Sequence, residues 1–341
     1  MKINARRGLS GSLILSSLVL LSGCRGSNVA PAVASAGLDP FPHAVARGNA
    51  LPSLILVANF SGHRITGYPL TANGNPAPSL VISGKKTGLG TPDNTALDSS
   101  DNIYTSIDGK TIGVFAASAH GNARRIRKIG GSNTGLSFPI GVAVDSKGYL
   151  YVADCGSGNV KVFAPGAHGN VAPIRVIGLT SGCTISEVVD SNDDLYVTSG
   201  DNLISEFSPE SQGNNLIREI QEPEHKGGDS IRSVAVDSHL NVYAGNLLAK
   251  DIQVFAPSAS GPAKPIRTIA GSQTHLGAPS GLALDSKNNL YVTVCHYCSH
   301  GSGTDSVLVF AAGAKGNVKP RAVIAGKKTK LYVPTDLVVR E

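Results

Sequence analysis

Short runs of β-branched and aromatic residues, bounded by Gly, Asn and Asp, recur along the chain from residue 53 onward. That is the signature of strands separated by tight turns. Five segments share one order: Ala/Val-Leu/Val-Asp-Ser, a polar turn, Leu-Tyr-Val or a near variant, a variable loop, then Val-Phe. One unit shows the alternation best. It reads as strands over Gly141–Asp145, Leu150–Ala153, Val160–Phe163 and Pro173–Ile177.

The anchoring aspartates Asp98, Asp145, Asp190, Asp237 and Asp285 lie 47, 45, 47 and 48 residues apart. A period in that range with four strands per unit predicts the blades of an all-β propeller. The first unit has strands near Leu54–Ala58, Ile65–Tyr68 and Ser79–Ile82 but no first strand. The missing one is found at the other end, where Pro334–Arg340 aligns with Pro139–Asp145. A six-bladed β-propeller follows, four antiparallel strands per blade, with the C-terminal strand completing the N-terminal blade. Closure of this kind removes exposed sheet edges, and the expectation is a monomeric propeller over residues 53–341.

Several recurring residues fit structural roles in such a ring. Each Asp-Ser pair is placed to hydrogen-bond the turn after an inner strand. Phe115, Phe163, Phe207, Phe255 and Phe310, with Tyr68 in register, are expected between blades. Arg127, Arg175, Arg218 and Arg267 recur on the fourth strand, where edge charge discourages sheet-to-sheet association.

The N-terminal 24 residues break the pattern. Lys2, Arg6 and Arg7 precede an apolar run from Leu9 to Leu21 that is too short to span a bilayer. Residues 25–52, rich in Ala, Gly, Pro and Ser, read as a flexible tether. The ending Leu21-Ser22-Gly23-Cys24 resembles the bacterial lipoprotein lipobox. That resemblance implies cleavage before Cys24, lipidation of Cys24, and a place in the cell envelope. Arg25 after the Cys implies the outer membrane rather than retention at the inner one.

Charge and composition then narrow the partners. The whole chain has 30 Lys+Arg against 24 Asp+Glu, a formal +6. Removing Lys2, Arg6 and Arg7 leaves 27 against 24, or +3. No basic run is interleaved with aromatics, so no nucleic-acid partner is expected. With 40 Gly, 19 Pro and one Met, a helical bundle is excluded.

The stretch Tyr151-Val152-Ala153-Asp154-Cys155-Gly156-Ser157-Gly158-Asn159-Val160-Lys161-Val162-Phe163 resembles the NHL-type propeller repeat, as does Val57-Ala58-Asn59-Phe60-Ser61-Gly62-His63. The resemblance implies the fold; such propellers serve as binding modules, scaffolds, lyases and lactonases, so it does not choose an activity.

Topology chooses a face. Loops joining strands two and three share a side with the connections between blades, and this side collects His63, His225, His275, His296, His300 and four cysteines. Cys155, in a blade's inner loop, and Cys183, in the link leaving that blade, are neighbours in this scheme, so a Cys155–Cys183 disulfide is expected in an oxidising compartment. Cys295 and Cys298 then remain as the second pair. Alternatively, they join His296 and His300 in a zinc site or act in redox chemistry, although no helix N-terminus is predicted there to lower a thiol pKa.

The residues opening the first strands ring the channel mouth: Asn94, Gly141, Glu187, Ser233, Gly281 and Asp336. A lone Glu and Asp at such a mouth are ordinarily solvated. Glu187, Asp336 and Asn94 vaguely resemble the Glu, Asn and Asp set with which gluconolactonase-type propellers hold a divalent metal, which implies calcium or zinc and lactone hydrolysis. Histidines His63 and His275 on a metal would instead suit a propeller lyase. The favoured expectation is a binding or scaffold module that takes a protein, glycan or small-molecule ligand at this mouth, with metal-dependent hydrolysis or lyase chemistry there as the alternative.

Overall fold

The structure is a computed structural model describing residues 51–179, 182–199, 202–223, 231–296, 298 and 304–341. The leader, Cys24, nearly all of the tether, His225 and His300 lie outside the described residues.

Each repeat forms one four-stranded antiparallel blade. Blade one contains β1 (Leu54–Asn59), β2 (Arg64–Pro69) and β3 (Leu80–Ser83); blade two β4 (Thr95–Leu97), β5 (Ile103–Ile107), β6 (Thr111–Phe115) and β7 (Arg127–Gly130). Blade three contains β8 (Pro139–Val144), β9 (Leu150–Asp154), β10 (Asn159–Phe163) and β11 (Arg175–Gly178); blade four β12 (Thr184–Val189), β13 (Leu195–Ser199), β14 (Leu203–Phe207) and β15 (Arg218–Gln221). Blade five contains β16 (Ile231–Val236), β17 (Val242–Asn246), β18 (Asp251–Phe255) and β20 (Arg267–Ile269), while the short β19 (Gly261–Pro262) between the last two adds in parallel to β15 at the edge of blade four. Blade six contains β21 (Pro279–Leu284), β22 (Leu290–Val294), β23 (Ser306–Phe310) and β24 (Ala322–Ala325). Finally β25 (Pro334–Arg340) pairs antiparallel with β1, Leu54 opposite Arg340, and closes the ring.

The aspartates act as expected from the repeat. Asp145 Oδ1 accepts the backbone N–H of Lys147 at 3.0 Å and of Tyr149 at 2.8 Å, while Oδ2 accepts the Tyr151 hydroxyl at 3.3 Å. Asp98, Asp190, Asp237 and Asp285 do the same with their own turns and with Tyr104, Tyr196, Tyr243 and Tyr291. Each carboxylate thus fixes the first hairpin of its blade and satisfies a buried phenol that would otherwise be costly. Phe115, Phe163, Phe207, Phe255, Phe310 and Tyr68 are fully buried, each in a cluster built from two adjacent blades.

The rim differs from the expectation for Arg127, Arg175, Arg218 and Arg267. Arg218 donates to the carbonyls of Pro257 and Ala259 in the next blade, and Arg175 to those of Pro209 and Ser211. Arg127 and Arg267 lie over the rings of Tyr104 and Tyr243. The outer edge is instead covered by hairpins. Gly121 of blade two lies against Ile82 of blade one as a parallel bridge, and Gly74, Gly169, Gly213, Gly261 and Gly316 repeat this around the ring. The following Asn adds a second clasp: Asn75, Asn122, Asn170 and Asn317 accept the N–H of Lys328, Lys86, Asn133 and Gln273 in the preceding blade at 2.7–2.9 Å.

Candidate functional site

The six first strands surround an axial cavity of about 260 Å³. Its wall takes consecutive residues from every blade, and among the described residues Glu187 and Asp336 are the only charged side chains lining it. Both are buried, at 5% and 8% exposure, so the expectation of solvated carboxylates is overturned. The reason lies in two glycines of the same ring. A Cβ on Gly141 would come within 1.8 Å of Glu187 Oε2, and one on Gly281 within 2.7 Å of Asp336 Oδ1. The carboxylates fold into the space these residues leave. The ladder is irregular at this end of β8, β12, β16, β21 and β25, a distortion that re-aims side chains near sites.

Each carboxylate uses one oxygen on backbone. Glu187 Oε1 accepts the N–H of Ala153 at 2.9 Å, and Asp336 Oδ2 accepts that of Thr95 at 2.9 Å. Asn94 Oδ1 accepts the N–H of Val142 at 3.3 Å. Glu187 Oε2 is buried with no hydrogen-bond partner among the described residues. Burial pushes Glu187 well above the usual carboxylate range against the Ala153 hydrogen bond, and the charge of Asp336 pushes the same way. Burial likewise raises Asp336, to about 7, despite the Thr95 N–H. In a six-membered ring, blades one and four stand opposite, so these two acids face each other across the axis.

A second pair crosses the same mouth. Arg232 Nη2 lies 3.1 Å from Asp93 Oδ1, and these residues belong to blade five and to the connection entering blade two, again on opposite sides. The Thr335 hydroxyl donates to the Asp93 carbonyl at 2.6 Å and ties this connection to β25. Neither Asp93 nor Arg232 was marked by the repeat. Their signal is a charge placed one position before the ring residues Asn94 and Ser233.

The histidine candidates do not join the site. His63 and His275 are exposed, occupy left-handed turn positions at φ 48° and 59°, and do not line the cavity. His63 Nδ1 donates instead to the Gly90 carbonyl. Cys155 and Cys183 form a disulfide, with Cα atoms 4.2 Å apart, and Cys295 and Cys298 form the second. Those sulfurs are bonded to each other, so no thiolate remains beside His296 to hold zinc. Among the described residues, no group of three His, Cys, Asp or Glu side chains is arranged for a metal.

The oxygen ring fits a metal no better. Asn94 Oδ1, Glu187 Oε1 and Asp336 Oδ2 are each engaged by a backbone N–H, and Asp336 also takes the Leu337 N–H, which leaves Glu187 Oε2 unpartnered. That oxygen falls short of the cage of roughly six to eight that calcium takes.

The sequence model of the NHL repeat matches residues 136–163. The match spans the first three strands of blade three. In it, Asp154 accepts the N–H of Ser137 and Phe138 at 3.1 and 2.6 Å and so pins the connection entering the blade. Lys161 Nζ reaches the same carboxylate at 2.5 Å in a buried ion pair. Asn59 and Thr66 fill the matching positions of blade one without charge, with Asn59 Oδ1 accepting the N–H of Tyr332.

Solved structures similar to this chain include a protein of unknown function from Bacteroides caccae, at 13% identity and TM-score 0.60 over 85% of this chain and 100% of that one. A putative 6-phosphogluconolactonase from Bacteroides fragilis matches at 14% identity and TM-score 0.58, covering 86% and 99%. The WD40 propeller domain of Doa1 matches at 14% and TM-score 0.53, covering 80% and 79%. At these identities the likeness is one of fold. No curated protein matches the sequence.

Proposed function

We propose that this protein is a lipid-anchored binding module of the bacterial cell envelope that engages its partner or ligand through the channel-mouth face. The observation that carries this reading is the concentration of features on one side. The axial acids, the Asp93–Arg232 bridge, both disulfides and the exposed Phe138 and Leu248 all lie there. The chain enters β1 at Leu54, beside the C-terminal end of β25, on the opposite side. No helix among the described residues is long and apolar enough to cross a bilayer, and anchoring rests on the lipobox resemblance.

Two measurements test the reading. Palmitate labelling with detergent-phase partitioning should give a labelled, detergent-soluble chain, and Cys24→Ser should move it to the aqueous phase; an unlabelled, aqueous wild-type chain overturns the anchor. A photo-crosslinking residue at Phe138 in living cells should give a discrete adduct, whereas one at Ile266 on the rim should not. Equal yields, or none at Phe138, overturn the face.

A second reading is favoured by one observation, that burial raises Asp336 to about 7 with Glu187 on the opposite blade, in the range that suits general acid–base groups. The lactonase named among the structural neighbours gives the substrate class to assay first. Lactone hydrolysis that disappears in Glu187→Gln supports this reading, and none in the wild type removes it.

A further inference from the structure

We propose that the axial cavity binds an aliphatic primary ammonium group, its charge held between Glu187 and Asp336 and its alkyl chain running along the bore. This deepens the binding reading by naming the ligand chemistry of the same site, and it rests on that reading.

The charge balance of the mouth comes first. Three acids gather there, Asp93, Glu187 and Asp336, against one cation, Arg232, which is engaged by Asp93. The cavity's own two acids therefore face no protein cation among the described residues. Buried carboxylates in that position are neutralised by protons or by a cationic ligand. Glu187 Oε2, buried and without a partner, marks where a donor is missing.

The arrangement of free oxygens selects the cation. A guanidinium fork wants both oxygens of one carboxylate. Here each carboxylate has given one oxygen to a backbone N–H, Ala153 for Glu187 and Thr95 for Asp336. What remains unpartnered is Glu187 Oε2, while Asp336 on the opposite blade also takes the Leu337 N–H. An ammonium, with three donors radiating from a single point, suits that geometry. A hard divalent ion finds too few oxygens.

The bore selects what the cation is attached to. Beyond the acids the wall combines aliphatic side chains such as Val144, Val188, Val236, Leu284 and Val338 with the polar Asn94, Thr95 and Ser186, and among the described residues it carries no other charged side chain. An alkyl chain buries its methylenes against these aliphatic groups. The cavity of about 260 Å³ is large enough for a five-carbon chain.

The same chemistry has two sources, a free alkylamine or the side chain of a partner's lysine. Calorimetric titration of the full chain at pH 8 with n-pentylamine, 1-pentanol and calcium chloride separates the possibilities. Saturable binding of pentylamine is expected, with affinity at least tenfold above that of pentanol and reduced at least tenfold in Glu187→Gln. Asp336→Asn is the second variant, and circular dichroism confirms the fold of both. A lysine-containing peptide that competes with pentylamine assigns the site to a protein ligand; failure to compete assigns it to a free amine. Equal binding of pentanol overturns the role of charge. Calcium binding that depends on Glu187 overturns the ammonium in favour of a metal. No amine binding overturns the proposal alone, because a crosslink at Phe138 would still support the binding face.

Discussion

Replacing Asp336 by Asn isolates the energetic consequence of burying an acid on the propeller axis. The asparagine keeps the shape and retains an oxygen for the Thr95 N–H, but it cannot ionise. In the wild type, burial raises Asp336 from 3.8 to about 7 in the folded protein. The sign follows from linkage: the folded state holds this proton more tightly than the unfolded state, so its stabilising effect is complete below about pH 4 and is lost as pH rises towards 7. At about 1.4 kcal/mol per pKa unit, the rise of about 3 units corresponds to roughly 4 kcal/mol. The stability of Asp336→Asn relative to wild type should therefore increase by up to about 4 kcal/mol between pH 4 and pH 8.

The groups facing Asp336 set how much of that is seen. Asp93 disfavours its ionisation and is itself paired with Arg232, while Glu187 stands across the axis. Thermal unfolding followed by circular dichroism, wild type against variant at each half pH unit, reads the difference directly and cancels the titration of distant groups. For a unit of this size, 4 kcal/mol corresponds to roughly 5–10 °C in midpoint. A midpoint difference that stays flat from pH 4 to 8, or that favours the variant more strongly in acid, would refute the claim that Asp336 is ionised at a cost.

Three further outcomes follow from the fold. Lys161→Thr should cost about 3–5 kcal/mol by leaving Asp154 buried and uncompensated, and adding Asp154→Asn should restore most of it, because the pair then matches Asn59 and Thr66; chemical denaturation of single and double variants decides. Asn170→Ala should cost about 1–2 kcal/mol in the same assay by removing the acceptor of the Asn133 N–H, whereas no change would deny the clasp a role. Removing Cys155 and Cys183 together should cost about 3.5 kcal/mol on the chain-entropy account for a separation of 28 residues. Removing Cys295 and Cys298, only 3 apart, should cost less than half of that, and a reversed order would contradict this account.

The blades were legible because the constraint on each is local and repeated. An Asp that bonds its own turn and a Tyr six residues on leaves a short fixed spacing, and the spacing recurs five times, from Asp98/Tyr104 to Asp285/Tyr291. The Gly-Asn clasp is as regular, at 74–75, 121–122, 169–170, 213–214 and 316–317. It was nonetheless passed over, because its partner lies in the previous blade and the spacing alone reads as an ordinary turn. The ring positions Asn94, Glu187 and Asp336 were found by aligning repeats. Their burial was not, because it depends on what Gly141 and Gly281 omit, and an omitted side chain in one blade carries no mark in the sequence of the next. The histidines failed for a related reason. Face assignment places a loop on a side of the disc but says nothing of how far its side chains stand from the axis, and His63 and His275 are exposed and line no part of the cavity.

These failures bear on where function sits in a repeated fold. Residues that five of the six blades share are occupied in building blades: the turn aspartates, the tyrosines and the inter-blade phenylalanines all have their partners within the ring. Chemistry is left to positions at which the repeats disagree, and at the start of the inner strands the six blades present five residue types, as Asn94, Gly141, Glu187, Ser233, Gly281 and Asp336. The disagreement is also spatially ordered. The two acids stand on opposite blades, and the glycine each needs is in a neighbouring blade, Gly141 beside Glu187 and Gly281 beside Asp336. Exchanging the members of one pair separates a structural from a functional reading. Gly141→Ala drives a methyl group into Glu187 Oε2 and should displace that carboxylate while leaving its charge on the chain. Weakened pentylamine binding with an unchanged melting midpoint would show that the position of Glu187, not its presence, serves the ligand; unchanged binding would return Gly141 to the class of incidental departures from the repeat.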